Sequence, residues 1–257
     1  MRQLIALILL AGCGPLTGQQ FPAYTIPDSL LSGADEVVRE EYYELEVLSE
    51  ESGIVRCRKA VTLLSKDSKA NVFVLGYDPD SKVKKLEARL YDNQGHEIRK
   101  LGKDEIRDFA AVDGYSVYQD NRLKALEANH HEYPYTLAYE YEMAVSGINF
   151  AMFPYWQIQD YRQSVEQASF VVRLPREIPL HYKVLNLRLE PEWAEDEKET
   201  RYTWRVRGLK AVQPEPYGPP ASEVLPTLLT AAGRFRIGTY VGSMSSWQDF
   251  GAFIGQL

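Results

Sequence analysis

Residues Tyr135–Val145, YTLAYEYEMAV, decide the fold. Tyr135, Leu137, Tyr139, Tyr141, Met143 and Val145 share one parity, while Thr136, Ala138, Glu140, Glu142 and Ala144 share the other. Sorting with a period of two belongs to the β-strand, whose successive side chains point to opposite faces. One face would bury six large apolar or aromatic side chains, at roughly 1.5 to 3 kcal/mol each. The other keeps two carboxylates in water, the pattern of an antiparallel sheet with one face on a core. The rest of the chain has to cover that aromatic face.

Working outward, short alternating runs recur on both sides. Val37, Tyr43, Leu45 and Val47 are expected on one face of a strand. Val55, Cys57, Val61 and Leu63 alternate with Arg56, Arg58 and Thr62 in its hairpin partner, the turn lying at Glu50–Gly53. Asn71–Tyr77 and Val83–Tyr91 make a second pair through Asp78–Ser81, with Leu86, Ala88 and Leu90 facing inward. Ile98 and Leu101 flank a short strand, Lys103–Ala111 reads as a brief helix, and Arg122–Ala128 resumes the sheet. Downstream, Ala168, Phe170, Val172 and Leu174 line one strand, Leu180, Tyr182 and Val184 another, and Tyr202, Trp204 and Val206 a last one. About ten strands joined by hairpin turns, with almost no helix, predict an all-β chain built as an antiparallel β-sandwich.

The termini read differently. Met1–Leu10, MRQLIALILL, places one Arg ahead of an apolar run and is an export signal. It runs into Leu10, Ala11, Gly12 and Cys13, which resembles the lipobox of bacterial lipoproteins and makes Cys13 the candidate lipidation site. Cleavage after Gly18 is the alternative, giving a mature chain that starts at Gln19. With Cys13 and Cys57 the two cysteines of the chain, no intrachain disulfide framework is expected. Cys57 shares the parity of Val55 and Val61 and reads as a small buried hydrophobe. The segment 213–226, QPEPYGPPASEVLP, carries five prolines and cannot lie inside a sheet. Beyond it, SWQDFGAFIGQL places Ser246 as a helix N-cap with Asp249 at N3. Trp247, Phe250, Ile254 and Leu257 fall on one helical face that needs a body to cover it, so the chain reads as part of something longer.

Composition excludes some functions. A net charge of -7 and an isoelectric point near 5.3 disfavour nucleic acid and anionic lipid surfaces, both of which require a basic footprint. Membrane contact is expected only through a lipid on Cys13. No Gly-rich phosphate loop, nucleophile elbow or zinc spacing occurs, so no cofactor or metal is expected. His130 and His131 lie in a hairpin loop beside Glu127 and Glu132, but the position a zincin helix needs for its second His is Tyr135, in a strand. Glu140 and Glu142 could in principle act as a glycosidase pair, yet their parity is the polar one. No catalytic residue is assigned. The candidate contact surface is the aromatic group Phe150, Met152, Phe153, Tyr155 and Trp156, since aromatics in a loop between strands anchor partners or sugars; a corner of the sandwich core is the alternative.

The order of these segments resembles the domain of unknown function 3857, found at the N-terminus of secreted bacterial proteins ahead of a transglutaminase-like domain. The resemblance is carried by FPAYTIPDSLLSGADEVVR (21–39), LEARLYDNQGHEIRKL (86–101), YPYTLAYEYE (133–142) and SSWQDFGAFIGQL (245–257). It implies a β-rich accessory module without activity of its own, whose partner is a C-terminal transglutaminase-like domain in the same polypeptide. The expected organisation is therefore an export signal (1–18, lipobox at 10–13), an irregular leader (19–35), a β-sandwich domain (36–212), a Pro-rich linker (213–226) and the start of the following region (227–257). Export to the periplasm or the outer membrane, with or without a lipid anchor, is the expected location. An autonomous envelope module binding peptide or glycan is the alternative function.

Overall fold

The aromatic parity of Tyr135–Val145 becomes the inner face of a central strand in the computed structural model, which describes residues 20–50, 52–111, 120–146, 153–237, 239–243 and 245–256. A 3-10 turn over Ala23–Thr25 and helix α1 (Asp28–Leu31) lead into β1 (Glu36–Ser49) and β2 (Ser52–Leu63). Then come β3 (Val72–Tyr77), β4 (Ser81–Tyr91), β5 (Glu97–Leu101), β6 (Ile106–Ala110), β7 (Arg122–Glu127), β8 (Tyr135–Ser146) and β9 (Trp156–Gln157). The chain continues through β10 (Gln163–Pro175), β11 (Leu180–Leu185), β12 (Glu192–Glu195), β13 (Glu199–Leu209), α2 (Ala221–Val224), β14 (Thr227–Ala232), β15 (Arg234–Ile237), β16 (Tyr240–Ser243) and α3 (Trp247–Ile254). The mostly-β character and the short terminal helix are as expected.

Eight strands form the main sheet in the order β12-β13-β10-β1-β2-β8-β4-β5. Its pairings are antiparallel except β1 with β10, which run parallel. That exception has a topological cause: the chain leaves the main sheet after Ser146, passes through β9 in another sheet, and re-enters beside β1 in the same direction. Two three-stranded sheets, β3-β7-β6 and β11-β14-β9, lie over one face of the main sheet. Phe73 of β3 sits 4.2 Å from the Tyr139 ring and 5.8 Å from the Tyr141 ring. At the other end Trp156 of β9 stacks on Phe170 at 5.8 Å, and Tyr182 of β11 meets Trp204 edge-on at 5.3 Å. Interdigitated aromatics make one continuous core between the layers.

Four local expectations are corrected. Asn71–Tyr77 and Val83–Tyr91 do not pair with each other: β3 pairs with β7 in the small sheet and β4 with β8 and β5 in the main sheet, because the chain turns from one layer into the other at Asp78–Asp80. Val37 does not join Tyr43, Leu45 and Val47, because a register shift between Val38 and Glu40 inverts the parity, as a β-bulge does. Val38 takes the inner position, and Val37 packs on the opposite face with Ile26 and Leu30. Lys103–Ala111 is not a helix: only Lys103–Glu105 forms a 3-10 turn, and Ile106–Ala110 pairs with β7, where sheet hydrogen bonds outweigh weak helix propensity. The leader, read as irregular, contains α1 and is strapped down by Arg39. That buried guanidinium donates to the Phe21 carbonyl at 3.0 Å and the Thr25 hydroxyl at 2.7 Å, and pairs with Glu166 at 2.7 Å. Gly95, at φ +85°, closes the neighbouring turn against Gln20, where a Cβ would lie 2.6 Å from a backbone oxygen.

Beyond the Pro-rich stretch the chain rejoins the sandwich. β14 pairs with β11 and β9, and Leu228 and Ala232 are buried, as is Leu225 at the end of the Pro-rich stretch itself. The β15–β16 hairpin then carries α3. Ser246 caps that helix as expected, accepting from the Asp249 amide at 3.1 Å. The buried contact, however, is Phe253, whose ring meets Phe235 at 4.9 Å over Gly242. Of the face read from the sequence, Phe250 packs partly, Trp247 is 85% exposed and Ile254 51% exposed, and Leu257 lies outside the described residues.

Candidate functional site

The aromatic group is divided by the fold. Trp156 and Phe153 are buried in the core and Tyr155 is exposed, while Phe150 and Met152 lie outside the described residues, as does Cys13. Glu140 and Glu142 sit on the outer face of the main sheet, each paired with a cation. Lys85 reaches Glu140 at 2.7 Å, and Arg56 reaches Glu142 at 3.1 Å while also holding Glu44 and Glu46. Two carboxylates occupied in this way on a half-exposed face resemble a solvated ion-pair network rather than an acid and base set apart by their environments. The His130 ring packs edge-on against Tyr135. Among the described residues no group of three His, Cys, Asp or Glu side chains could hold a metal ion. No helix there is long and apolar enough to cross a membrane.

Two charged residues that the sequence reading passed over lie on the inner face. Register places Ala168, Glu41, Lys59, Tyr139 and Ala88 in one row across five strands. Lys59 Nζ lies 2.9 Å from Glu41 Oε2, with the two side chains 18% and 6% exposed. Trp156 Nε1 donates to Glu41 Oε1 at 3.2 Å. Burial pulls the Lys59 ammonium toward neutrality, but Glu41, with help from Tyr139, outweighs it and holds the pKa above its ordinary value. The arrangement ties β1 to β2 and to β9 in the opposite layer. The signal was present in the sequence: Glu41 shares the parity of Tyr43 and Leu45, and Lys59 that of Cys57 and Val61. Opposite charges at two apolar-parity positions are what a buried pair looks like before folding.

Beside this row, Cys57 is 6% exposed, and burial, followed by the Glu41 charge, pushes its thiol up to about 12. A thiol so placed is neither ionised nor reachable. Alkylation of Cys57 in the native chain is therefore expected to be negligible against that in urea, read by peptide mass spectrometry; equal labelling in both states would contradict its burial.

The inner face also forms a cleft of about 330 Å³ where the main sheet projects past β3-β7-β6. Its floor is Tyr43, Val55, Met143 and Val145; Tyr77 and Arg122 face it from the small sheet as its roof, Asn121 and Pro154 also line it, and the Asp78–Ser81 corner closes one end. The roof follows from a switch within the small sheet. Phe73, Leu75 and Leu126 pack on the core, whereas further along the same face Tyr77, Asp108, Arg122 and Lys124 form a polar cluster. Tyr77 donates to Asp108 at 2.8 Å, and Arg122 and Lys124 pair with it at 2.9 and 2.5 Å. Lys124, Tyr77 and Arg122 together hold the Asp108 carboxyl down at about 2. An apolar floor with a few polar groups above it is the general build of a ligand site.

The family model described as a domain of unknown function with solved structure (DUF3857) matches residues 49–213. The fold is similar to the crystal structure of a "putative protease" from Parabacteroides distasonis ATCC 8503, with TM-score 0.64 and 14% identity over 76% of this chain. The chain spans 40% of the length of that protein. A variant of the M1 zinc metallopeptidase from Deinococcus radiodurans matches with TM-score 0.35 and 11% identity, over 81% of this chain and 46% of that one. No curated protein matches the chain.

Proposed function

Because the chain belongs to the DUF3857 family, we propose that it works as a non-catalytic accessory domain for a transglutaminase-like unit in the same polypeptide. The observation that carries this reading is the shared fold with a protein of which the chain spans only 40%: the same layers occur there as one part of a longer chain. The chemistry of the described residues agrees with a supporting role. The Cys57 thiol is buried and un-ionised, and Glu140 and Glu142 are engaged by Lys85 and Arg56. Trp247 and Ile254 on α3 leave apolar surface that a neighbouring domain would cover.

The test has two arms. The gene should continue past codon 257 into a region of about one to two hundred residues, the size of a typical domain, holding a Cys followed by His and Asp. The purified chain alone should turn over neither peptide, glutamine amide nor glycan. Turnover that Glu140→Gln or Glu142→Gln abolishes would replace the accessory reading with that of a hydrolase. The proposal also places the protein outside the cytoplasm, anchored through Cys13. Mass spectrometry of the mature N-terminus should then find a lipidated Cys13, and Cys13→Ala should move the protein out of the membrane fraction; a first residue of Gln19 would remove the anchor and leave export.

A further inference from the structure

Trp193 stands in β12, the four-residue strand at one edge of the main sheet, and is 65% exposed. Register places it in one row with Tyr202, Val172 and Leu45, so it belongs to the inner face although no core surrounds it. Directly paired side chains on one face stand about 5 Å apart at Cβ, which sets the indole beside the Tyr202 ring. Tyr202 in turn lies 6.3 Å from the Tyr182 ring of β11. Both tyrosines rest on the fully buried Trp204, Tyr202 stacked at 6.0 Å and Tyr182 edge-on at 5.3 Å, while Tyr182 stays 40% exposed. Three rings from three strands thus follow one another along the open edge between the layers, two of them fixed from beneath by a core residue.

Tyr182 also lines a hollow of about 540 Å³ with Leu187 and Leu189, from the connection that leads into β12, and with Lys183, Arg188 and Glu190. That volume lies within the range for small-ligand sites, roughly 300 to 1,000 Å³. The charges around it differ from those on the outer face, where Lys85, Arg56 and Arg173 are all engaged by carboxylates. Lys183, Arg188 and Glu190 form no ion pair among the described residues, and Glu190 accepts only from the Tyr182 hydroxyl, at 3.4 Å. Ring faces open to solvent, with donors and an acceptor uncommitted beside them, suit a ligand that is apolar on a flat side and hydroxylated around its edge. A pyranose is built that way: its axial C–H bonds make an apolar face, and its equatorial hydroxyls both donate and accept. An apolar peptide would leave the three charges unanswered, and a simple ion would meet charges of both signs. We propose that this edge of the sandwich binds a neutral chain of equatorially linked pyranose units, stacked on Trp193 and Tyr182 and held through its hydroxyls by Lys183, Arg188 and Glu190. The site is built on β11 to β13, whereas the apolar surface left for a neighbouring domain is on α3, so either reading can fail without the other.

Titration of the full chain with cellotetraose and with chitotetraose, followed by calorimetry and by tryptophan emission, tests the assignment. At least one of the two is expected to bind and to shift the emission to the blue as a solvated indole is covered. Trp193→Ala should weaken binding about tenfold or more, the scale of losing an aromatic anchor, and remove the shift. Its thermal midpoint should stay where it is, since an exposed edge position contributes little to stability. Arg188→Ala and Glu190→Gln should each weaken binding several-fold while the shift at saturation persists. Trp247→Ala, which removes another exposed indole, that of α3, should leave both affinity and shift in place. Failure of both sugars to bind at millimolar concentration would overturn the site, and binding that survives Trp193→Ala would overturn the platform. Tighter binding of trileucine than of either sugar would assign the surface to an apolar peptide and overturn the sugar reading.

Discussion

Lys59→Met is expected to destabilise the chain by about 3 to 5 kcal/mol, the cost of leaving one member of a buried ion pair without the other. Lys59 Nζ is the cation facing Glu41 Oε2 at 2.9 Å, and with it gone the carboxylate keeps only the Trp156 N–H inside the core. The loss is expected to be context-dependent in a way that can be measured. A buried pair is not in itself strongly stabilising, since desolvation offsets much of the attraction. The double variant Lys59→Met with Glu41→Leu should therefore recover most of the stability lost in the single one. Urea midpoints for the two single variants and the double variant give the coupling directly. Additive losses would mean that the two side chains do not meet in solution.

Tyr141→Ser is expected to cost a similar amount, about 3 to 5 kcal/mol, as for other large aromatic truncations in a core. Tyr141 is 9% exposed, lies 5.8 Å from the Phe73 ring of the opposite layer, and borders Tyr43 and Cys57 in its row. Burial, followed by Tyr43 and Cys57, raises its pKa, which marks the phenol as removed from water. The comparison that gives the experiment its force is Glu140→Ala, one residue away. Its side chain is 35% exposed and pairs with Lys85 on the outer face, where such changes usually stay within about 0.5 kcal/mol. Equal sensitivity of Tyr141 and Glu140 to substitution would contradict the assignment of β8 faces on which the layered fold rests.

The two variants also separate what could be read early from what could not. The Tyr141 face was visible as soon as the chain was written out, because alternation along a strand is fixed by backbone geometry and needs no knowledge of neighbours. The same local logic found the hairpin β1–β2 and the Ser246 cap, each of which depends on residues only a few positions apart, but it misread β3 and β4 as a pair, since the two strands lie in different sheets. It failed at Val37, where a single bulge between Val38 and Glu40 inverted the parity, and at Lys103–Ala111, where pairing with β7 decided the conformation. Neither bulge nor partner leaves a clear mark on the segment itself.

The sequence by itself determined a strand-rich chain, the sides on which most of its apolar residues would be buried, and the family its segments resemble. Only the tertiary structure decided which strands are neighbours. The parallel pairing of β1 with β10 joins residues more than a hundred positions apart, and the Glu41, Lys59 and Tyr139 row is assembled from three separate strands. The cleft depends on the same kind of information, since its floor comes from β1, β2 and β8 and its roof from β3 and β7. The physical reason is one of range. Side-chain parity is set by torsions within a residue and its neighbours, whereas register and layer stacking are set by hydrogen bonds and packing between segments that the chain brings together only when it folds.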